Sequence, residues 1–298
     1  MIKRNRGYQA LANIVMLLVT LMVVLPFLLL FMSSITEENT LLLNGYSFIP
    51  AKFSLGAYEY IFRSGEKIFR AYGMTILLTV VGTLVNVSLT ALFSYPLALK
   101  DLPGRKVITF FVFFTMLFNG GLVPSYIMWS SYLGVKDTVW GLLLPNLLLG
   151  SMNILLTRTY FSTSIPDTLY EAAQIDGASQ FRVFRSIVLP LGKPILVTIG
   201  TFSGLTYWND WTNGLYYISK NTDLYTIQNL LNKMVTDLQF LAQNSSNMSS
   251  DMAAELSKVP STGVQMAIAF VAILPIILVF PFLQKYYAKG ISLGAVKG

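Results

Sequence analysis

Six apolar runs, each about the length needed to cross a bilayer as a helix, punctuate this chain and constrain its fold more than any other feature. They lie at Ala10–Met32, Tyr72–Leu99, Val107–Trp129, Thr138–Leu156, Ile187–Trp211 and Gly263–Leu283. Hydrocarbon offers no hydrogen bonds, so a spanning segment must satisfy its backbone internally, and runs of about 20 residues do so as helices. Apolar residues make up 54% of the sequence and charged residues 12%, about half the charged share of a soluble domain. The expectation is an all-α polytopic membrane protein of six transmembrane helices. Several runs contain proline (Pro26, Pro96, Pro124, Pro145, Pro190, Pro275), which membrane helices tolerate when neighbours take up the freed backbone groups. The first run is too long for a signal peptide, and no A-x-A-like cleavage site follows Met32.

An even number of spans puts both termini on one side. Taking that side as cytosolic places 13 of the 21 basic residues there, among them Lys3, Arg4, Lys100, Arg105, Lys106, Arg158, Arg182, Arg185 and Lys193, with only 4 of the 14 acidic ones. This positive-inside bias predicts a cytosolic N-terminus (1–9), a membrane domain (10–283) and a cytosolic tail (284–298). It also predicts a cytosolic loop at 158–190 and an extracytoplasmic loop at 212–262. The net charge of +7 therefore sorts by membrane side and forms no nucleic-acid patch. With no cysteine or histidine, thiol nucleophiles, imidazole bases, disulfides and most zinc sites are excluded together. No Asp, Glu, Lys or Arg falls mid-span, which argues against a proton- or sodium-coupled carrier.

The cytosolic loop carries far more helical design than a connector needs. Pro166 suits a first turn, and Ser164 or Asp167 can cap or charge that end. Leu169, Ala172, Ala173 and Asp176 recur at helical spacing on one face, and the two alanines would let a partner surface approach the backbone. Gly177 fits the left-handed position that ends a helix, and Ser179 can start the next. A helix merely lying in the headgroups would present bulky apolar anchors on that face instead.

This loop resembles the coupling (EAA) loop of binding-protein-dependent ABC importer permeases. Glu171-Ala172-Ala173, Gly177, Ile187 and Leu189-Pro190 fall on that family's pattern in register. The tail from Gln284-Lys285-Tyr286 to Gly294-Ala295-Val296-Lys297-Gly298 is similar to the ending of carbohydrate permeases, more narrowly the maltose-type second permease subunit. The outer-loop segment Ser47–Phe62 looks like the branch that handles complex oligosaccharides and polysaccharide fragments. One departure is Trp208-Asn209-Asp210, where maltose-type members commonly carry WNE.

The resemblance implies an EAA coupling loop between helices 4 and 5, with Glu171, Ala172, Ala173, Asp176 and Gly177 engaging an ATPase subunit. It implies a bacterial cytoplasmic membrane location, a second homologous permease, two ATPase subunits, an extracytoplasmic solute-binding protein and an oligosaccharide substrate. No cofactor belongs to this chain; ATP and Mg would be bound by the partner ATPases. Gly192-Lys193-Pro194 is no phosphate loop, because Ile187 stands at the first glycine position and Pro194 where the magnesium-binding hydroxyl belongs. This chain is therefore expected to catalyse no covalent step. Alternatives outside the sugar reading are a peptide or other polar-solute ABC permease and a stand-alone carrier.

Candidate substrate-path residues are Asn86, Asn119 and Asn146, near the middle of spans two to four, with Trp208, Asn209, Asp210 and Trp211 at the end of span five. Amides both donate to and accept from sugar hydroxyls, and an amide in hydrocarbon must be paired. The competing role for each asparagine is to bond neighbouring helices together. The aromatic residues serve equally well as an interfacial belt.

Overall fold

The computed structural model describes residues 6–63, 65–145, 147–244 and 262–295, and apart from one isolated bridge between Thr36 and Phe53 every regular element among them is helical. The chain divides into two compact units. Unit one comprises 1–68 and 230–275, and unit two 69–229 and 276–298.

Unit one holds α1 (Arg6–Ser34), α2 (Glu38–Asn44), α3 (Gly56–Arg63) and the first turn of α4 (Gly65–Ala98). The most apolar stretch of α1 has no protein cover, as suits a helix immersed in lipid. At its end the Ser34 and Tyr58 hydroxyls share a 2.7 Å hydrogen bond, tying α1 to α3. The Glu38 carboxylate accepts the backbone N–H groups of Thr262 (3.1 Å) and Gly263 (2.9 Å). These are orphan donors at the start of the last helix, Thr262–Ala295, and a negative group suits that end. The same helix sets Phe270 against Phe31, with ring centroids 4.8 Å apart.

Unit two holds the rest of α4, then α5 (Arg105–Leu117) and α6 (Leu122–Ile127), which runs on as a π-turn over Met128–Tyr132. There follow α7 (Val139–Leu143), α8 (Ser151–Ser164), α9 (Asp167–Ile175), α10 (Gln180–Val183) with a π-turn at Phe184–Val188, α11 (Leu189–Leu191), α12 (Lys193–Asn209) and α13 (Thr212–Tyr217). The helix Ile227–Asn244 begins here.

Among the described residues, three helices are long and apolar enough to cross a membrane as they stand, and two bent pairs could each make one further crossing. The expected third span is not one helix. It bends by 110° between α5 and α6, where Gly121 takes a φ of +89° and its N–H bonds to the Asn119 side chain at 2.9 Å. The expected fifth span bends by 77° between α11 and α12, where Pro194 lacks the N–H a continuous helix needs. The expected fourth span departs furthest. Helix α7 stops at Leu143, and among the described residues no helix resumes until Ser151.

Pro145 and the residues after it leave several carbonyls without helical partners, and side chains from other elements supply them. Tyr207 donates to the Leu143 carbonyl at 2.9 Å and Asn213 to that of Pro145 at 2.9 Å. Asn86 donates to both Leu147 (2.9 Å) and Leu148 (3.0 Å). Irregular backbone at membrane depth persists only when protein satisfies it in this way. At the other end, the last helix continues to Ala295, well into the stretch expected to be a tail.

Outside the spans, Asp137 is the one non-glycine residue with positive φ (56°) among the described residues. Its carboxylate accepts backbone N–H groups of Ser219 (2.7 Å), Lys220 (2.8 Å) and Asn221 (3.2 Å), and the Ser219 hydroxyl at 2.9 Å. These bonds, led by the Lys220 N–H, hold the carboxyl below the usual carboxylate range. A depressed folded value contributes stability above the unfolded value, near 3.9, and loses it as pH falls through the folded value. Asp137→Ala is therefore expected to speed amide exchange at 219–221 severalfold at pH 7. The difference from the parent should narrow only below about pH 4. Equal exchange at pH 7 would contradict the clamp.

Candidate functional site

The segment expected to be a cytosolic loop folds as a short, well-terminated helix standing on a packed base. Helix α9 starts after Pro166 with Asp167 in its first turn, where a negative charge is favourable. At its end, Gly177 N–H bonds to the Gln174 carbonyl (3.0 Å) and Ala178 N–H to that of Ala173 (2.9 Å). With Gly177 at φ +68°, this is the paired arrangement of a Schellman stop. Ser179 then caps α10, its hydroxyl accepting the Arg182 N–H at 3.3 Å.

Beneath α9 lies a core of Ala91, Tyr95, Phe161, Ile165, Val183, Phe184 and Val188, against which Tyr170, Ala173 and Ala178 pack. The Tyr95 hydroxyl donates to the Gln180 side-chain oxygen at 2.6 Å, and its ring lies 5.3 Å from that of Phe184. At the start of α9, Lys100 and Asp167 pair at 2.5 Å. That hydrogen bond, reinforced by the Asp167 charge, pushes the ammonium up from its ordinary value. The pair is exposed, so it orients the helix more than it stabilises it.

The face expected at 169, 172, 173 and 176 is split. Ala173 turns inward against the core, whereas Leu169, Ala172, Ile175 and Asp176 are exposed. Ile175, 86% exposed, was not among the expected residues. Its spacing of three from Ala172 is the signal that would have found it. Glu171 lies on the flank toward Lys100 and lines a cavity of about 570 Å³ with Asp167, Gln174 and Gln180.

The expected substrate-path residues do not converge on one place. Asn86 is buried and bonded to the Leu147 and Leu148 carbonyls, which is a packing role. Asn119 is exposed in the α5–α6 bend, bonded to Gly121 two residues away, and does not face a helix-bundle interior. Asn146 lies outside the described residues. Trp208 is buried, and Trp211 is 43% exposed.

Asn209 and Asp210 do come together, with Leu147, Leu205, Thr206, Thr212 and Asn213, around a cavity of about 510 Å³. One Asp210 carboxylate oxygen accepts the backbone N–H groups of Thr212 (3.1 Å) and Asn213 (3.3 Å), turning the chain into α13. Behind it, Asn229 donates to the Trp211 carbonyl at 2.6 Å and accepts from the Thr226 hydroxyl at 2.7 Å. Asn213 and Asn229 were not expected. Asn213 stands one turn beyond Asn209, so an amide pair at that spacing was available to be read.

A sequence profile for the binding-protein-dependent transport system inner membrane component matches residues 81–293, well over half of the chain. The chain belongs to this family. Among its relatives is the polygalacturonan/rhamnogalacturonan transport system permease protein YtcP of Bacillus subtilis (strain 168), 36% identical over 99% of this chain and 100% of that protein. Protein LplC of the same strain is also 36% identical, over 92% of this chain and 90% of its own length. Among solved structures, a chain of a bacterial ABC transporter involved in the import of the acidic polysaccharide alginate matches with a TM-score of 0.79. It is 27% identical over 96% of this chain and 99% of that one. This permease is therefore an inner-membrane component of an ABC importer, and its chemistry is transport.

Proposed function

We propose that the permease carries an oligosaccharide or polysaccharide fragment across the bacterial cytoplasmic membrane as one of two homologous permease subunits. Two ATPase subunits bind ATP and Mg, and an extracytoplasmic solute-binding protein delivers the sugar. The chain crosses six times with both termini in the cytosol. The bent pairs α5–α6 and α11–α12 each make one crossing, and α7 and α8 together with the irregular stretch between them make another. The coupling helix is α9. The observation that carries this reading is its rigid geometry: a helix fixed at one end by Lys100–Asp167 and at the other by the Gly177 stop, with Leu169, Ala172 and Ile175 left bare. Such a handle transmits a displacement of its docking partner into the bundle without bending, and so biases a two-state pore.

The sugar reading draws on the substrates in the relatives' names and on the cavity at Asn209, Asp210 and Asn213. Amide and hydroxyl groups there suit sugar hydroxyls. Among the described residues no lysine or arginine lines that cavity, so carboxylates on an acidic sugar would meet their cations on the other permease or on the binding protein.

The test is ATP-dependent uptake of oligosaccharides of graded length into proteoliposomes holding the complete complex. Sugar should stimulate ATP hydrolysis only with the binding protein present. Transport by this chain alone, without ATPase subunits, would overturn the assignment. Orientation is read separately. Lys220→Cys should react with an impermeant thiol reagent outside cells and Ser179→Cys should not, against a background free of native cysteine.

A further inference from the structure

A third cavity, of about 960 Å³, opens where the end of α4, the start of α5 and the middle of α8 meet. Its polar wall is basic: Lys100, Arg105, Lys106 and Arg158. Lys100 is paired with Asp167, whereas Arg105, Lys106 and Arg158 form no ion pair with any described residue. The two arginines are aimed by one atom. The Leu97 carbonyl, in the last turn of α4, accepts Nε–H of Arg105 at 2.9 Å and of Arg158 at 3.1 Å. A helix C-terminus is a favourable place for cations, yet each guanidinium spends only its Nε donor there. The terminal amino groups of both arginines keep their donors without a partner among the described residues.

Two like charges held side by side call for an anion between them. Phosphate fits, because the planar fork of arginine binds its oxygens in pairs. The remaining wall names the rest of the ligand. Phe110 and Phe113 follow Lys106 at i+4 and i+7, so they continue the same face of α5 away from the charges. They are 60% and 46% exposed. A free inorganic ion has no use for that apolar extension, whereas a lipid with a phosphate headgroup matches both parts.

We infer that Arg105, Arg158 and Lys106 form a binding site for the headgroup of an anionic phospholipid of the cytosolic leaflet, with its acyl chains laid along Phe110 and Phe113. The leaflet rests on the orientation proposed above, which Ser179→Cys labelling tests independently. Basic pockets between membrane helices on that side are suited to anionic headgroups, at about 1 kcal/mol for each basic group near the surface.

The experiment uses the transporter complex purified through this chain and placed in phosphatidylcholine nanodiscs, with phosphatidylglycerol titrated in and counted by native mass spectrometry. Arg105→Gln with Arg158→Gln should weaken phosphatidylglycerol retention by roughly 20- to 30-fold, two groups at that strength. Should that pair fail to assemble, Arg105→Lys with Arg158→Lys keeps the charge, loses the fork and should still weaken retention severalfold. Phe110→Ser with Phe113→Ser should also lower retention. Gly177→Val, which strikes the coupling helix without changing charge, should leave retention unchanged, so loss of transport and loss of lipid are separately visible. Three results would overturn the site. One is unchanged retention in an assembled arginine double variant. Another is displacement of the lipid by inorganic phosphate at equal concentration, marking a free-anion site. The third is a photo-cross-linker at Lys106 that captures a partner subunit's acidic segment in place of lipid.

Discussion

Gly177→Val is expected to reduce substrate uptake at least about tenfold while the chain still inserts and still purifies with its partner subunits. A side chain at Gly177 would meet nothing within 4 Å, so crowding is not the reason. The reason is the backbone. At φ +68° a β-branched residue suffers the left-handed penalty, of order 1–3 kcal/mol. The chain relieves it by swinging Gly177 to negative φ, which breaks the bonds from Gly177 to Gln174 and from Ala178 to Ala173. Helix α9 then frays from its C-terminal end, and the bare pair Ile175 and Asp176 leaves its register with Ala172. Since about 1.4 kcal/mol is a factor of ten, distortion of a docking helix by the relief of that strain is enough for the stated loss. Gly177→Asn is the control, because asparagine tolerates the left-handed region and should retain most uptake. Glu171→Lys should match the valine variant by another route, reversing a charge on an exposed flank. Uptake, sugar-stimulated ATP hydrolysis and co-purification are measured together. Normal uptake by Gly177→Val would remove α9 from the coupling role.

That the α9 stop was legible in advance while the fourth span was not has a physical basis. Proline before the helix, an acid in its first turn, glycine after its last and serine at the next start all act within a few residues. Each is therefore written locally in the sequence. Which side of α9 faces the core is not local, because it depends on Tyr95 and Phe184 from other elements. That is why Ala173 was grouped with Ala172 and Ile175 was passed over. The apolar run Thr138–Leu156 reads as a helix because hydropathy reports burial from water and not backbone regularity. The broken backbone after Leu143 is equally apolar. What permits the break is a set of donors far away in sequence, Asn86, Tyr207 and Asn213. Of these donors Asn86 suggested a sugar path, because a polar side chain mid-span announces that it has a partner without naming it. In unit two the named partner of Asn86 is backbone.

Asn86→Leu should accordingly lower thermal stability, and by the same amount whichever sugar is present. An ordinary hydrogen bond between membrane helices is worth under about 1 kcal/mol, since each helix keeps its own backbone bonds when the contact is lost. Leu147 and Leu148 lie outside any helix, so their carbonyls lose their Asn86 donor without gaining a helical one. An orphaned carbonyl costs roughly 1–3 kcal/mol when fully buried, and these two are part-buried, which puts the pair at about 1–3 kcal/mol after hydration and relaxation. Asn213→Leu strips the Pro145 carbonyl and should fall in the same range. Asn209→Leu should separate from both. Among the described residues its amide bonds only to Leu205 one turn back, and it lines the 510 Å³ cavity, so its loss should cut sugar-stimulated ATP hydrolysis with the melting temperature nearly unchanged. The purified complex with its binding protein serves for all three, each variant measured for melting temperature and for stimulation by short and long oligosaccharides. An Asn86→Leu complex that melts like the parent and discriminates among sugars by length would move Asn86 from the backbone of the broken span into the substrate path.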